Sequence, residues 1–225
     1  THCFACGDTA ARWMYGDVRV SSGRVTVLPN AIDLQRFSFS PENRASVRQE
    51  IGARESALVV GHIGRFMYQK NHAFLLKIFQ ALLALRPDAI LMLAGEGELL
   101  DETRALAKAL GIEPQVHFLG VRRDAERLYS AMDVFCLPSF YEGLPVVMVE
   151  ALANGLSCVV SDQVTRELNE FSVVQLSLDA APAVWAQSLL EAPRTDAAPE
   201  ALIERFDIRR TANQLEAFYL EHAKS

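Results

Sequence analysis

The sequence predicts an α/β fold built on an open, doubly wound parallel sheet. Short apolar runs alternate with segments of helical periodicity along most of the chain. The apolar runs are nearly continuous, which is typical of strands covered by helices on both faces. Glycines and charged residues concentrate directly after these runs. Strands that alternate with helices are joined by right-handed crossovers, so we expect them to be parallel.

Seven apolar segments predict the strands. Several of them are short continuous apolar runs, as expected for strands covered on both faces. Their bounds are residues 25–28, 57–63, 89–94, 116–119, 133–137, 157–161 and 173–176.

Four segments with an apolar stripe or helix-end signals predict helices. Asn71 is the predicted N-cap of the first, Gly111 terminates the second, and Pro145 occupies the first turn of the third. The predicted ranges are 71–87, 98–110, 145–154 and a terminal helix at 207–224, and the proline-rich and alanine-rich segment 192–199 predicts a surface loop.

Composition limits the class of protein. The 225 residues are 50% hydrophobic, enough for one full core, and the net charge of −6 argues against a dedicated nucleic-acid binder. Cys3 and Cys6 form a C-x-x-C without a second ligand pair, which is a weak metal signal. Cys136 and Cys158 lie in apolar strand patterns and are predicted core residues. Reduced thiols favour a cytoplasmic location. The longest apolar run, 145–160, is interrupted by polar residues and is too short to span a bilayer.

The candidate chemistry gathers in loops that follow strands. In a doubly wound sheet, ligands bind beyond the carboxyl ends of the strands. Four such loops are rich in glycine or charge, at 64–71, 95–98, 120 and 138–145. Four loops at one edge of a sheet indicate a binding site far more strongly than one would.

Arg65 and Lys70 lie in the first of these loops, which leads directly into a helix. A helix start offers unpaired N–H groups and partial positive charge, so two cations beside it predict a diphosphate site. Ordinary surface cations are the alternative interpretation.

Two glutamates stand out near the third predicted helix. Glu150 lies in an almost wholly apolar segment without a cation three or four positions away, so it needs a distant cation or the hydroxyl groups of a ligand. A structural salt bridge is the alternative. Glu142 precedes this helix beside Gly143 and Leu144, whose N–H groups can face an anion or a sugar oxygen. A solvated loop acid is the alternative for Glu142.

With both glutamates placed, residues 142–151, EGLPVVMVEA, resemble the E-x7-E signature of glycosyltransferase family 4, also called glycosyl transferases group 1. The GRF and QKNH segments at 64–66 and 69–72 are similar to the donor-phosphate loop of that family. PNAID at 29–33 resembles its P-N-G-I-D turn, with Ala31 where glycine is usual. Residues 95–97 and 116–120 resemble further blocks, so nearly the whole chain is covered in order. Residues 69–72 and 159–162 are most similar to bacterial enzymes of capsule or exopolysaccharide synthesis.

The resemblance implies a GT-B fold, in which two Rossmann-like domains enclose a cleft. Residues 1–225 would form the carboxy-terminal, nucleotide-sugar-binding domain, with 207–225 as its terminal helix. The amino-terminal, acceptor-binding domain would lie outside this chain. The isolated chain is therefore expected to be inactive in transfer.

The resemblance also implies a reaction. A retaining, metal-independent glycosyltransferase would take a sugar from a nucleoside-diphosphate sugar, most often UDP-linked, and no cofactor is expected. Gly64 belongs to the donor-phosphate loop, and Arg65 and Lys70 would stabilise the departing diphosphate. Glu142, with the N–H groups of Gly143 and Leu144, would hold the transferred sugar.

Two further roles follow from the same resemblance. Glu150 would bind the ribose hydroxyls, and the backbone of Phe118 and Leu119 would flank the base. The acceptor would be a glycan or lipid-linked glycan at the inner face of the cell membrane, reached by peripheral association. No nucleic-acid partner is expected.

Three rival interpretations remain open from the residues. An NAD-binding domain needs G-x-G-x-x-G after its first strand, and neither 61–64 nor 95–97 fits it. A GT-B relative could be an epimerase or a phosphorylase, although no motif shows a cofactor-binding lysine. A donor-binding module without catalysis is the third. His62 is a predicted core residue and His72 a first-turn helix residue, and the sequence supports a catalytic role for neither.

Overall fold

Strands and helices alternate along the chain, as the periodicity predicts. The computed structural model describes residues 2–195 and 197–222. In chain order the elements are β1 (Cys3–Ala5), α1 (Asp8–Tyr15), α2 (Asp17–Ser21), β2 (Val25–Val27), α3 (Pro41–Glu50), β3 (Val59–Ile63), α4 (His72–Leu85), β4 (Ile90–Ala94), α5 (Leu100–Ala109), β5 (Val116–Phe118), α6 (Ala125–Ala131), β6 (Val134–Leu137), α7 (Val146–Ala153), β7 (Ser157–Ser161), β8 (Val173–Leu176), α8 (Pro182–Glu191), α9 (Glu200–Phe206) and α10 (Ile208–His222).

The main sheet confirms the predicted doubly wound architecture. Its six strands run in the order β5-β4-β3-β6-β7-β8, and every pair is parallel. Within this sheet the chain first forms the central strand β3, then adds β4 and β5 on one side, and then returns to form β6 on the other side of β3. The loops that follow β3 and β6 therefore flank the point where strand order reverses, which is where sheets of this kind bind ligands.

Helices cover both faces of this sheet. One core cluster includes residues of α3, α6, α7 and α9, and a second includes residues of α4, α5 and α8. Along β4, Met92 and Ala94 belong to the first cluster, whereas Leu91 and Leu93 belong to the second. This alternation is the two-residue period of a strand buried on both sides. Cys136 and Cys158 are buried in these clusters, as predicted, while Cys3 and Cys6 are free thiols near the surface.

A second, small sheet lies outside the main one. The predicted strand 25–28 forms as β2, but it pairs in parallel with β1, which the sequence analysis missed. Helices α1 and α2 connect these strands around a cluster of Ala5, Ala11 and Val25. Phe4 and Phe218 make an edge contact at 5.0 Å between ring centroids, which packs α10 against this unit.

Helix ends match the sequence in some places and differ in others. Gly111 has φ 70° and its N–H donates to Lys108 O at 3.0 Å, which confirms it as a helix terminator. Asn71 precedes α4, but its side chain forms no cap hydrogen bond because the residue adopts φ 54°, so the predicted side-chain cap is wrong. Its carbonyl instead accepts from Phe74 and Leu75. Ala31 has an ordinary negative φ, so alanine fits the turn there.

The remaining differences concern elements without a strong local signal. Helices α1, α2, α3, α6, α8 and α9 were not predicted, and most of them are short. The predicted terminal helix forms as α10 to His222, and Lys224 lies outside the described residues. The predicted loop at 192–199 carries no helix or strand at its described positions. Within the described ranges, no helix combines the length and apolarity needed to cross a bilayer.

Candidate functional site

An ion pair joins the two loops at the strand-order reversal. We call residues 64–71, after β3, the basic loop and residues 138–145, after β6, the acidic loop. Lys70 Nζ lies 2.6 Å from Glu142 Oε1, and the two side chains are only 14% and 9% exposed. Ser139 Oγ donates to the same carboxylate oxygen at 3.0 Å. The structure thus brings together two of the three residues predicted to be catalytic.

Backbone and ring contacts hold these loops side by side. The Phe140 N–H donates to Gln69 O at 2.8 Å, and Gln69 Nε2 donates to Tyr141 O at 2.8 Å. The rings of Tyr68 and Phe140 stack at 4.6 Å between centroids. These contacts restrict both loops, so the ion pair is held by ordered backbone rather than by side-chain reach alone.

Two glycines after β4 allow the β4 loop to pack closely against the basic loop. Gly95 and Gly97 have φ values of 142° and 152°, which side chains rarely allow. A Cβ on either residue would collide with the carbonyl of Gly64 or of Phe66, respectively. The Phe66 N–H also donates to Glu96 O at 2.8 Å. Sequence reasoning placed these glycines at a ligand-binding edge, and the structure shows that they let the β4 loop pack against the basic loop.

Arg65 is exposed near the start of the basic loop, two residues after β3. Among the residues that the structure describes, its guanidinium has no ion pair or hydrogen-bond partner. It is therefore an unpaired cation among the described residues, five positions before Lys70, whose own charge is paired. The structure supplies one free and one compensated positive charge where the sequence predicts a diphosphate.

A narrow crevice of about 150 Å³ opens at the carboxyl ends of β3 and β4. Its walls come from these strand ends, the loop after β5, and α6. The lining residues are Ile63, Gly64, Ala94, Gly95, Val121, Arg122, Ala125 and Leu128. Gly64, the first residue of the basic loop, lies in this wall.

The predicted base-flanking residues lie close to this crevice but do not line it. The Leu119 N–H donates to Leu93 O at 2.8 Å and is therefore committed to the sheet. The Phe118 ring packs with the opposite core cluster and under Arg104, whose Cζ lies 4.4 Å from the ring centroid. Val121 lines the crevice from this side instead. Sequence reasoning missed it because no local pattern marks a residue that follows a short edge strand.

Glu150 is half-buried on α7 and has a hydroxyl partner. Tyr129 Oη donates to Glu150 Oε2 at 2.7 Å. Burial raises the pKa of Glu150, while the bond from Tyr129 and the more distant charge of Arg36 oppose that shift. No ion pair to Glu150 forms within the described part of the chain, so the structural salt bridge considered from sequence is absent there. Tyr129 was missed because α6 was not predicted.

Free amides precede α7. Gly143 and Leu144 lie in the turn before Pro145, which is the N-cap residue. Neither the Gly143 nor the Leu144 N–H donates a hydrogen bond within the described residues. These amides precede the N-cap of α7 and are donors directly after Glu142 in the chain.

The chain is similar in sequence to a protein family and to several known proteins. Residues 43–169 match the family model described as glycosyl transferases group 1. The chain is 38% identical over 190 residues to EpsF of Bacillus subtilis (strain 168), named as a glycosyltransferase, covering 84% of this chain and 50% of the relative. It is 29% identical over 150 residues to an Escherichia coli UDP-Gal:alpha-D-GlcNAc-diphosphoundecaprenol alpha-1,3-galactosyltransferase, covering 65% and 38%. The chain thus spans about half the length of these relatives, or less.

Solved structures confirm the fold class. The crystal structure of Anabaena HepE in complex with UDP and glucose superposes with a TM-score of 0.79 at 22% identity, covering 98% of this chain and 63% of that one. The predicted Rossmann-like sheet of a GT-B protein is confirmed, since a likeness at this identity establishes fold. With the family model covering more than half of the sequence, the chain belongs to the glycosyl transferases group 1 family.

Proposed function

We propose that the protein containing this chain is a retaining, metal-independent glycosyltransferase. It transfers a sugar from a nucleoside-diphosphate sugar, UDP-linked, to a glycan or lipid-linked acceptor in surface polysaccharide synthesis. The observation that carries this proposal is the Lys70–Glu142 ion pair at the strand-order reversal, in a loop whose other cation, Arg65, is unpaired among the described residues. Lys70 can exchange the carboxylate of Glu142 for the diphosphate of a ligand, because both groups are anions.

In the donor complex, Lys70 leaves Glu142 and binds the diphosphate together with Arg65. Both cations face charge that grows as the bond from the sugar to the diphosphate breaks, which is preorganised electrostatic stabilisation. Because the protein's own cations supply this charge, the proposal needs no metal ion and no other cofactor.

The released Glu142 accepts hydrogen bonds from hydroxyl groups of the transferred sugar. The amides of Gly143 and Leu144 donate hydrogen bonds to oxygens of the same sugar. Glu150 binds the ribose hydroxyls, and Tyr129 orients its carboxylate. The crevice below Gly64 takes the base. The Lys70–Glu142 exchange therefore couples the binding of phosphate to the binding of sugar.

The acceptor and the location rest on the relatives. A relative named for a diphosphoundecaprenol acceptor supports a lipid-linked acceptor. The proposed location at the inner face of the membrane follows from the family resemblance. This chain provides the donor-binding domain, and a second domain provides the acceptor site. We therefore expect the chain alone to bind donor without transferring sugar.

Calorimetric titration with UDP, in EDTA, tests the proposal. Arg65→Ala and Lys70→Ala should each weaken binding by about 1.5–3 kcal/mol, the value of a charge-assisted hydrogen bond. Arg86→Ala is the matched control, since Arg86 pairs with Asp88 on an exposed surface. Unchanged affinity in both site variants would show the phosphate assignment to be wrong, and loss of binding in EDTA would contradict metal independence. GDP in place of UDP tests the base.

A further inference from the structure

Two buried histidines lie beneath the basic loop. His62 on β3 is fully buried, as predicted for a core residue, and His72 in the first turn of α4 is 3% exposed. Their rings meet edge to face at 4.7 Å between centroids. His72 also stacks on Phe66 at 4.1 Å. Burial lowers the pKa of both histidines, so both rings are neutral near pH 7.

A neighbouring carbonyl sets the tautomer of His62. Its Nδ1 lies 2.8 Å from the carbonyl oxygen of Cys136 on the adjacent strand β6. A carbonyl only accepts, so Nδ1 carries the proton and Nε2 is left with a bare lone pair. Nε2 is buried and has no hydrogen-bond partner among the described residues. Such groups are rare in folded proteins because each costs desolvation energy, and each needs an explanation.

The bare nitrogen points at the basic loop. A Cβ built on Gly64 would lie 3.0 Å from His62 Nε2 and 3.4 Å from Lys70 Cε. The imidazole nitrogen and the end of the lysine side chain therefore flank the same small space, which glycine keeps open. In this structure the ammonium of Lys70 is directed to Glu142 Oε1. An ammonium has three N–H donors, so it can serve an additional acceptor.

We propose that His62 is a positioning residue for Lys70, and that its Nε2 accepts a hydrogen bond from the Lys70 ammonium once Glu142 releases it. This inference rests on the proposed function, in which donor binding separates Lys70 from Glu142. The imidazole of His62 then holds the ammonium of Lys70 beside Gly64 while the diphosphate binds to the same loop. His72 packs against the His62 ring and restricts its rotation.

A ligand-free experiment tests the contact directly. In Glu142→Ala, Lys70 loses its carboxylate, and the ¹⁵N resonance of His62 Nε2 should move upfield as that nitrogen gains a hydrogen bond. The double variant Glu142→Ala with Lys70→Met should restore the wild-type resonance. An unmoved resonance in the single variant, or a shift that persists without the lysine, would overturn the proposal.

Donor affinity gives a second, separate readout. His62→Phe keeps a flat ring but removes the acceptor, and UDP binding should weaken by about tenfold, the value of one hydrogen bond to a charged group. His62→Gln, which retains an acceptor, should recover most of this loss. Equal UDP affinity of wild type and His62→Phe would count against the proposal. Absence of UDP binding by the wild-type chain would instead refute the proposed function, and the ligand-free resonances would still decide the role of His62.

Discussion

Lys70 Nζ lies 2.6 Å from Glu142 Oε1. This ion pair joins the loops that follow β3 and β6, the two strands between which the order of the sheet reverses. The charge of Lys70 is therefore compensated by the chain itself, while Arg65 of the same loop has no such partner among the described residues. Any anionic ligand at this site must compete with a carboxylate that is already in place.

This competition predicts an unusual sign for one substitution. Glu142→Gln removes the competing charge while keeping the shape, so UDP should bind more tightly, by about 1 kcal/mol. Calorimetry with UDP measures the change. If Glu142 did not compete for Lys70, its substitution would leave UDP affinity unchanged or lower, and either result would contradict the exchange. Ser139→Ala is the control, since it removes a neutral donor to the same carboxylate.

The proposed ribose contact predicts a loss of discrimination. In wild type, UDP should bind more tightly than its 2′-deoxy analogue, by about 1 kcal/mol for one hydrogen bond. Glu150→Gln should reduce this difference by at least half, because the carboxylate is the stronger acceptor. Tyr129→Phe keeps the carboxylate and should retain most of the discrimination. Titration of both nucleotides measures the difference, and equal discrimination in Glu150→Gln and wild type would exclude the ribose role.

The packing of the basic loop predicts a stability effect. Gly97→Ala places a methyl group against the Phe66 carbonyl and strains a residue at φ 152°. Gly111→Ala is the matched control, because Gly111 also has positive φ, 70°, but open space around it. Gly97→Ala should destabilise the protein by about 2 kcal/mol more than the control does. Urea unfolding measures both, and equal losses would show that the close approach is unimportant.

A buried ionic network at the opposite end of β6 predicts a larger effect. Asp133 accepts from Arg44 at 2.7 Å and from Arg48 at 2.6 Å. Arg48 is 2% exposed, so Asp133→Asn leaves it without its anion and should cost about 3–5 kcal/mol. Asp88→Asn, which breaks the exposed pair with Arg86, should cost far less, because solvent screens that pair. Similar losses in urea unfolding for both variants would contradict the network's importance.

The buried histidines predict a dependence of stability on pH. Burial lowers the pKa of His62 to about 4 and that of His72 to about 2, whereas an exposed histidine has a pKa of 6.5. Below pH 6.5, His62 and His72 therefore become protonated in the unfolded chain while they remain neutral in the folded chain. Their contribution to stability is complete above pH 6.5 and declines as the pH falls, towards 4 for His62 and 2 for His72.

Between about pH 6 and 4 the free energy of unfolding should fall by about 1.4 kcal/mol per pH unit for each histidine. His72→Phe keeps an aromatic ring against Phe66 and removes one of the two titrations. Its unfolding free energy, measured in urea over this pH range, should decline less steeply than that of wild type by about one histidine's share. Identical slopes would show that His72 is protonated in the folded protein.

Periodicity and composition predicted the parts of this protein that depend on near neighbours. Strands 157–161 and 173–176 match β7 and β8 residue for residue, because a mainly apolar segment of strand length is a local pattern. The loops after β3 and β6 were identified in the same way, since parallel strands direct their carboxyl ends to one edge. This edge made Arg65, Lys70 and Glu142 candidate site residues, and the apolar surroundings of Glu150 in its predicted helix made it a fourth.

Only the tertiary structure decided which of these groups meet. Lys70 and Glu142 are 72 positions apart, and Tyr129 and Glu150 are 21 apart. A hydrogen bond tolerates errors of a few tenths of an ångström, whereas sequence periodicity specifies a face and not a position. The bare Nε2 of His62 is visible only once Cys136 of the adjacent strand has fixed its tautomer. Local sequence determines the elements, and strand register and loop packing determine the chemistry between them.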